Sequence, residues 1–187
     1  MIKFNEEEHS YRLGKVRLPS VTQIMKPITQ PMYENISPYI MKKAADRGTE
    51  IHRWVELYDT EKQESFNPRV QAYKRWCEDT QQNPIENEYR SYHKTLLYAG
   101  TFDKLCEING ENVLIDVKTT AMLHENVVAV QCSAYREMAR SHGLKVDKIA
   151  VLQLNSDGTY VYKELKDNFD LFIALYKIYA FNQKGGH

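Results

Sequence analysis

The chain has 187 residues, 42% of them hydrophobic and 27% charged, enough for one domain with its own core and no need of covalent staples. Its 25 basic and 25 acidic residues cancel, which excludes a global field for nucleic acid or an anionic membrane; any nucleic-acid site has to be a local patch. No apolar run approaches the roughly 18 residues of a membrane span.

The opening Met1-Ile2-Lys3-Phe4-Asn5 lacks a signal peptide's apolar region, so a cytoplasmic protein is expected. Ile2 to Phe4 and Tyr11 to Leu13 read as a small β element around the acidic turn Asn5-Glu6-Glu7-Glu8. Ser20-Val21-Thr22-Gln23 has the form of a capping box, opening a short helix that stops before Pro27. Ser37-Pro38 starts a second helix, running to about Tyr58 with a joint at Gly48. Asn67-Pro68 repeats that start signal and leads a helix toward Gln82. Strand is expected from Pro84.

Asn109-Gly110 then separates Thr101–Ile108 from Glu111–Lys118, two alternating apolar runs. Asn-Gly supplies the two positive φ angles of a type I′ turn, the strongest short-range hairpin signal. A turn there places Leu105 opposite Leu114, Phe102 opposite Val117 and Asp103 opposite Asp116. Beyond it, a helix over about 125–141 ends at Gly143, a fitting C′ residue. Strands at 148–154 and 159–164 flank the turn Asn155–Gly158, and a helix from Asn168 to Asn182 precedes a loose tail.

These elements predict an α/β (α+β) fold, a central mixed β-sheet flanked by helices. One domain is expected over 1–187. Its parts are a β element and short helix (1–36), a helical segment (37–83), a sheet with its helix (84–165), and a C-terminal helix and tail (166–187). Cys77, Cys106 and Cys132 are too few and too scattered for a four-thiolate site, and read as reduced thiols.

The hairpin carries the first candidate chemistry. Side chains two apart on a strand share a face, so Lys118 joins Asp116 and Asp103. Like charges directly opposed destabilise a sheet unless something neutralises them. Two carboxylates and the carbonyl of Val117 are hard oxygen donors suited to Mg²⁺ or Mn²⁺, and a lysine beside them can orient water or compensate a phosphate. The same residues also fit a surface hairpin with an exposed Asp103–Lys118 ion pair.

Other residues are weaker alone. His52 lies in a helix with Ile51, Trp54 and Val55 on its apolar face. Gln131 and Tyr135, four apart, put their polar tips on one helix face. Glu88 lies in the strand before the hairpin. Lys42, Lys43, Arg47 and Arg53 share the helical stretch of His52 and could line a groove tracking a nucleic-acid backbone, with some of the 13 tyrosines as stacking platforms.

The order of these pieces is more specific than any of them. Arg47-Gly48-Thr49-x-x-His52, Glu88, Gly100-Thr101-Phe102-Asp103, Ile115-Asp116-Val117-Lys118-Thr119 and Gln131-x-x-x-Tyr135, preceded by Pro19-Ser20-Val21-Thr22, resemble the RecB-like branch of the P-D-(D/E)-x-K nuclease superfamily. Within it the series is most similar to small phage exonucleases and the mitochondrial genome-maintenance exonuclease, over about residues 19 to 135. Phe102 stands where the superfamily's nominal proline would be, a change usual in that branch.

The resemblance implies a restriction-endonuclease-like core and a metal-dependent DNA exonuclease acting on single strands or free ends, in recombination, repair or replication. Asp103, Asp116, the Val117 carbonyl and His52 would bind one or two Mg²⁺ or Mn²⁺ ions. Lys118 would position the attacking water, Gln131 and Tyr135 the substrate backbone, and Glu88 would support the site. Implied partners are DNA and, as a further candidate, a single-strand-binding or recombination protein, in the cytoplasm of a bacterial or phage-infected cell. No iron–sulfur cluster, nucleotide cofactor or membrane is implied. An endonuclease on the same fold and a catalytically silent nucleic-acid-binding module remain as alternatives.

Overall fold

The computed structural model describes residues 2–5, 8 and 10–184; part of the acidic turn and the tail at 185–187 lie outside the described residues. The N-terminal part is an antiparallel meander of β1 (Ile2–Asn5), β2 (Ser10–Leu13) and β3 (Val16–Leu18). The third of these strands extends the two-stranded element read from the sequence. Ser20 then forms the capping box, its hydroxyl accepting from Gln23 N–H while Gln23 Oε1 accepts from Ser20 N–H, and opens α1 (Val21–Ile24).

The chain does not stop at Pro27. It continues as α2 (Lys26–Tyr33), because Pro27 falls in the first turn, where its missing N–H has no carbonyl to serve. Next, α3 (Pro38–Glu61) is one unbroken helix through Gly48, correcting the expected joint. A Cβ at Gly48 would meet only Thr119 Oγ1 at 4.0 Å, so close packing does not require this glycine. Asn67 caps α4 (Pro68–Thr80).

The main sheet has the order β4 (Asn83–Tyr92), β5 (Ala99–Ile108), β6 (Glu111–Lys118), β7 (Lys148–Leu154), β8 (Tyr160–Leu165). All neighbours are antiparallel except β6 and β7, which run parallel and are joined through α5 (Glu125–Ser141). Chain order and sheet order coincide, and the single crossover gives a mixed sheet, as expected from the element pattern. Leu105 faces Leu114 in the expected register.

Helices cover both faces. Against α1, α5 and α6 (Phe169–Lys184) pack Phe102, Leu105, Leu114, Ile149 and Val151; against α3 and α4 pack Cys106, Val113, Ile115, Val117, Ala150 and Leu152. Burial on both faces explains why the inner strands β6 and β7 read as nearly continuous apolar runs. Among the described residues, no helix is long and apolar enough to cross a membrane.

Candidate active site

The β5–β6 ladder closes from the Asn109-Gly110 turn as far as Lys104 opposite Ile115, and there the paired register ends. Asp103 does not simply face Asp116. Its Oδ2 accepts from Val117 N–H at 2.7 Å, so a carboxylate takes a place that a backbone carbonyl fills elsewhere in a ladder. Opening the hairpin here turns the aspartate inward.

Two other elements reach this point. From α3, His52 places Nδ1 3.4 Å from Asp103 Oδ1 and 3.3 Å from Glu88 Oε1, while Nε2 lies 3.0 Å from the Val117 carbonyl. From β4, Glu88 comes in with φ of +46°, between residues that pair with Phe102 and Lys104. A left-handed glutamate inside a strand is strained, and such strain persists where the surroundings impose it, often at functional sites. His52, Glu88 and Asp103 each offer a ligand atom within 4.8 Å of the others, and all three are half-buried.

Asp116 is buried beside this cluster, and Lys118 Nζ stands 2.7 Å from its Oδ2. This charged contact is the partner of the buried Asp116 carboxylate. On α5, Gln131 Nε2 donates to the Tyr135 hydroxyl at 3.3 Å. Gly100 is required here, since a Cβ would lie 2.5 Å from Cε1 of the Tyr135 ring.

The electrostatics follow from three carboxylates gathered in a largely buried place. Burial pushes Asp103 and Asp116 above the usual carboxylate range, opposed by His52 and Lys118 for Asp103 and by Lys118 for Asp116. Asp103 drives the His52 imidazole up to about 9, against its burial and with help from Glu88. Burial works against the Lys118 charge, but Asp116 and Asp103 outweigh it and hold the ammonium protonated well above its usual range.

A cleft of about 860 Å³ opens over His52 and Glu88. Its walls come from α3 (Gly48, Arg53), the meander (Phe4, Tyr11), β4 (Arg90) and the start of β5 (Thr101), with Tyr135 behind. Arg53 and Arg90 line it together with Glu56 and Glu88, so its charge is mixed. Lys42 and Lys43 stand exposed on α3, and Arg47 is half-buried; none of these three lines the cleft. Sequence reading missed Arg90, Phe4 and Tyr11. Alternation along β4 would have put Arg90 two residues from Glu88, on its face.

The structure therefore brings together His52, Glu88, Asp103, Asp116 and Lys118, with Tyr135 in the same cleft. Glu88 joins the ligand cluster directly. The Val117 carbonyl is engaged by His52 Nε2, which sets the ring so that Nδ1 faces the carboxylates. An imidazole nitrogen with hard carboxylate oxygens fits a divalent cation.

No family model and no curated protein matches the chain. Solved structures do. The chain is similar to a protein designated SSO0001 at 12% identity and a TM-score of 0.54, covering 93% of this chain and 80% of that one. It is likewise similar to an alkaline exonuclease from Laribacter hongkongensis at 13% identity and a TM-score of 0.51, covering 92% of this chain and 88% of that one. The mixed sheet flanked by helices is thus the fold of an exonuclease.

Proposed function

We propose that this chain is a divalent-metal-dependent DNA exonuclease of the RecB-like kind, acting on single strands or free ends. The observation that carries the reading is the His52–Glu88–Asp103 cluster beside the Asp116–Lys118 pair, with His52 and Glu88 opening onto a cleft. His52, Glu88 and Asp103 are the groups that would hold Mg²⁺ or Mn²⁺, with Asp116 as a further carboxylate for the same or a second ion. Bound there, the cation would supply Lewis-acid stabilisation of the phosphate and a more acidic water.

The protein's own groups divide the remaining work. Val117 orients His52 through its carbonyl and Asp103 through its N–H, an outer-shell role of the kind that fixes ligand geometry. Lys118, whose ammonium Asp116 and Asp103 favour in the metal-free protein, would direct a water or a phosphate oxygen by donation. Gln131 and Tyr135 offer an amide and a hydroxyl to the substrate backbone. The resemblance in sequence and the exonuclease fold support this division.

The test is digestion of end-labelled linear and covalently closed circular single-stranded DNA, with Mg²⁺, Mn²⁺ or EDTA. Digestion of linear DNA alone, dependent on the metal and lost in Asp116→Ala, is the expected result. Cutting of circles would make the enzyme an endonuclease, and metal-independent cleavage surviving in Asp116→Ala would put the active site elsewhere.

A further inference from the structure

Beside the candidate active site lies a second cavity of about 380 Å³. Its size falls within the range of small-molecule pockets, about 300–1,000 Å³. Lys118 and Gln131 form one end of it, and Thr22 borders both this cavity and the cleft. The two spaces therefore share a border at Thr22, while Lys118 and Gln131, assigned above to the phosphate and the substrate backbone, line this one.

The chemistry of this cavity differs from that of the cleft. Its walls are Met25 and Met32, Tyr33 of α2, and Met122, Leu123 and Val127 around the entry to α5, with His124 as a polar ring among them. Two hydroxyls on the wall are already spent on backbone carbonyls: Thr29 Oγ1 donates to Met25 O at 3.3 Å and Thr120 Oγ1 to Met122 O at 3.1 Å. Such a surface offers flat apolar contact and few donors to tell one base edge from another. Thioethers adapt to varied shapes, and stacking accepts every base because each has a π face.

The outer wall is unusually open. Met122 is 70% exposed and Tyr33 46%, and α2 contributes no fully buried residue to the core. Exposed apolar side chains grouped beside a charged centre mark a binding surface more than a folding requirement.

We infer that this cavity is the subsite for one unstacked nucleobase of the DNA strand, read without sequence preference, whose adjoining phosphate lies at Lys118. The inference rests on the nuclease reading and deepens it. A base can enter only where it is unpaired, so the pocket selects single strands or frayed ends. The charged floor favours a nucleotide over an apolar peptide side chain, which would leave Lys118 and Gln131 facing hydrocarbon.

The test uses single-stranded oligonucleotides carrying 2-aminopurine at each of the three positions nearest either end, with Ca²⁺ to hold them uncut, and anisotropy to report binding. One position should change its fluorescence on binding as its base leaves its neighbours for the wall of thioethers and Tyr33. Met122→Asp and Tyr33→Ala, both at exposed positions, should abolish that signal. An abasic site at the same position should slow wild-type cleavage about tenfold, in line with the loss of one stacked base, and should slow the Met122→Asp/Tyr33→Ala protein little further. DNA binding with no position-specific signal, or an abasic penalty undiminished in the double variant, overturns the base pocket and leaves the nuclease reading standing; silent DNA with quenching by an apolar peptide would reassign the cavity to protein docking. Failure of the wild type to bind or cut any DNA removes the nuclease reading, and the pocket assignment with it.

Discussion

Two charged clusters sit seven residues apart on the same face of α3, and they are built in opposite ways. At Asp59, Tyr73 OH donates to both carboxylate oxygens at 2.8 Å, Gln82 Nε2 donates at 3.3 Å, and Lys104 closes an ion pair whose two side chains are both 0% exposed. Lys104 also reaches Asn87 Oδ1. One acid meets one base and the donors are used up. At His52, Glu88, Asp103 and Asp116 crowd around one imidazolium and one ammonium, at the edge of a cleft. The sequence neighbours Asn87/Glu88 and Asp103/Lys104 serve both clusters, one residue of each pair going to each. The closed cluster fastens α3 and α4 to the sheet; the open one keeps negative charge in surplus, which is what a cation site requires.

The contrast can be broken most severely at the closed cluster. Lys104→Ala would strand a buried carboxylate and should cost about 3–5 kcal/mol in urea unfolding. Replacing both partners together, Asp59→Leu with Lys104→Met, should recover most of that loss. A large cost from the pair replacement would mean that the charges do more than fasten helices.

At the open cluster the pattern should invert. Lys118→Ala is expected to lower the cleavage rate about 10²–10³-fold while shifting the urea midpoint little. A matching loss of stability would show that Lys118 is structural.

A smaller effect tests the strained strand residue. Both Glu88→Ala and Glu88→Gly remove a ligand, but glycine accepts φ of +46° without a Cβ penalty. Glu88→Gly should therefore be about 1 kcal/mol more stable than Glu88→Ala. Equal stability would mean that the backbone relaxes out of the left-handed region once the carboxylate is gone.

A pH dependence tests the charge of the open cluster. His52 has its pKa raised from 6.5 to about 9 by Asp103. A base favoured in the folded state adds stability that is fully present below pH 6.5 and lost as pH rises through 9. With EDTA present, the melting temperature should fall across that window, and the slope should flatten in His52→Gln.

How much of this was legible in the chain depends on whether the cause was local. Asn109-Gly110 fixed the hairpin register because turn chemistry is local, and Ser20, Ser37 and Asn67 marked their helices for the same reason. Helix α2 escaped because Pro27 reads as a breaker, whereas it falls at the start of the helix, where it is tolerated. Asp103 and Asp116 could be assigned to one site, but not the opening of the ladder between them, since that depends on the Asp103 carboxylate capturing the Val117 N–H. Nothing in the letters around Glu88 marks a left-handed glutamate. Arg53 reached the cleft and Lys42, Lys43 and Arg47 did not, because helix periodicity gives a face and cannot say how far along α3 the cleft extends. The Asp59–Lys104 pair joins residues 45 apart, a long-range contact that no spacing rule reveals.

The most direct measurement is Mn²⁺ binding followed by calorimetry on the wild type, Glu88→Gln and Asp59→Asn. The open cluster as a cation site predicts binding by the wild type, at least tenfold weaker binding in Glu88→Gln, and wild-type affinity in folded Asp59→Asn. Equal affinity in the wild type and Glu88→Gln would contradict it.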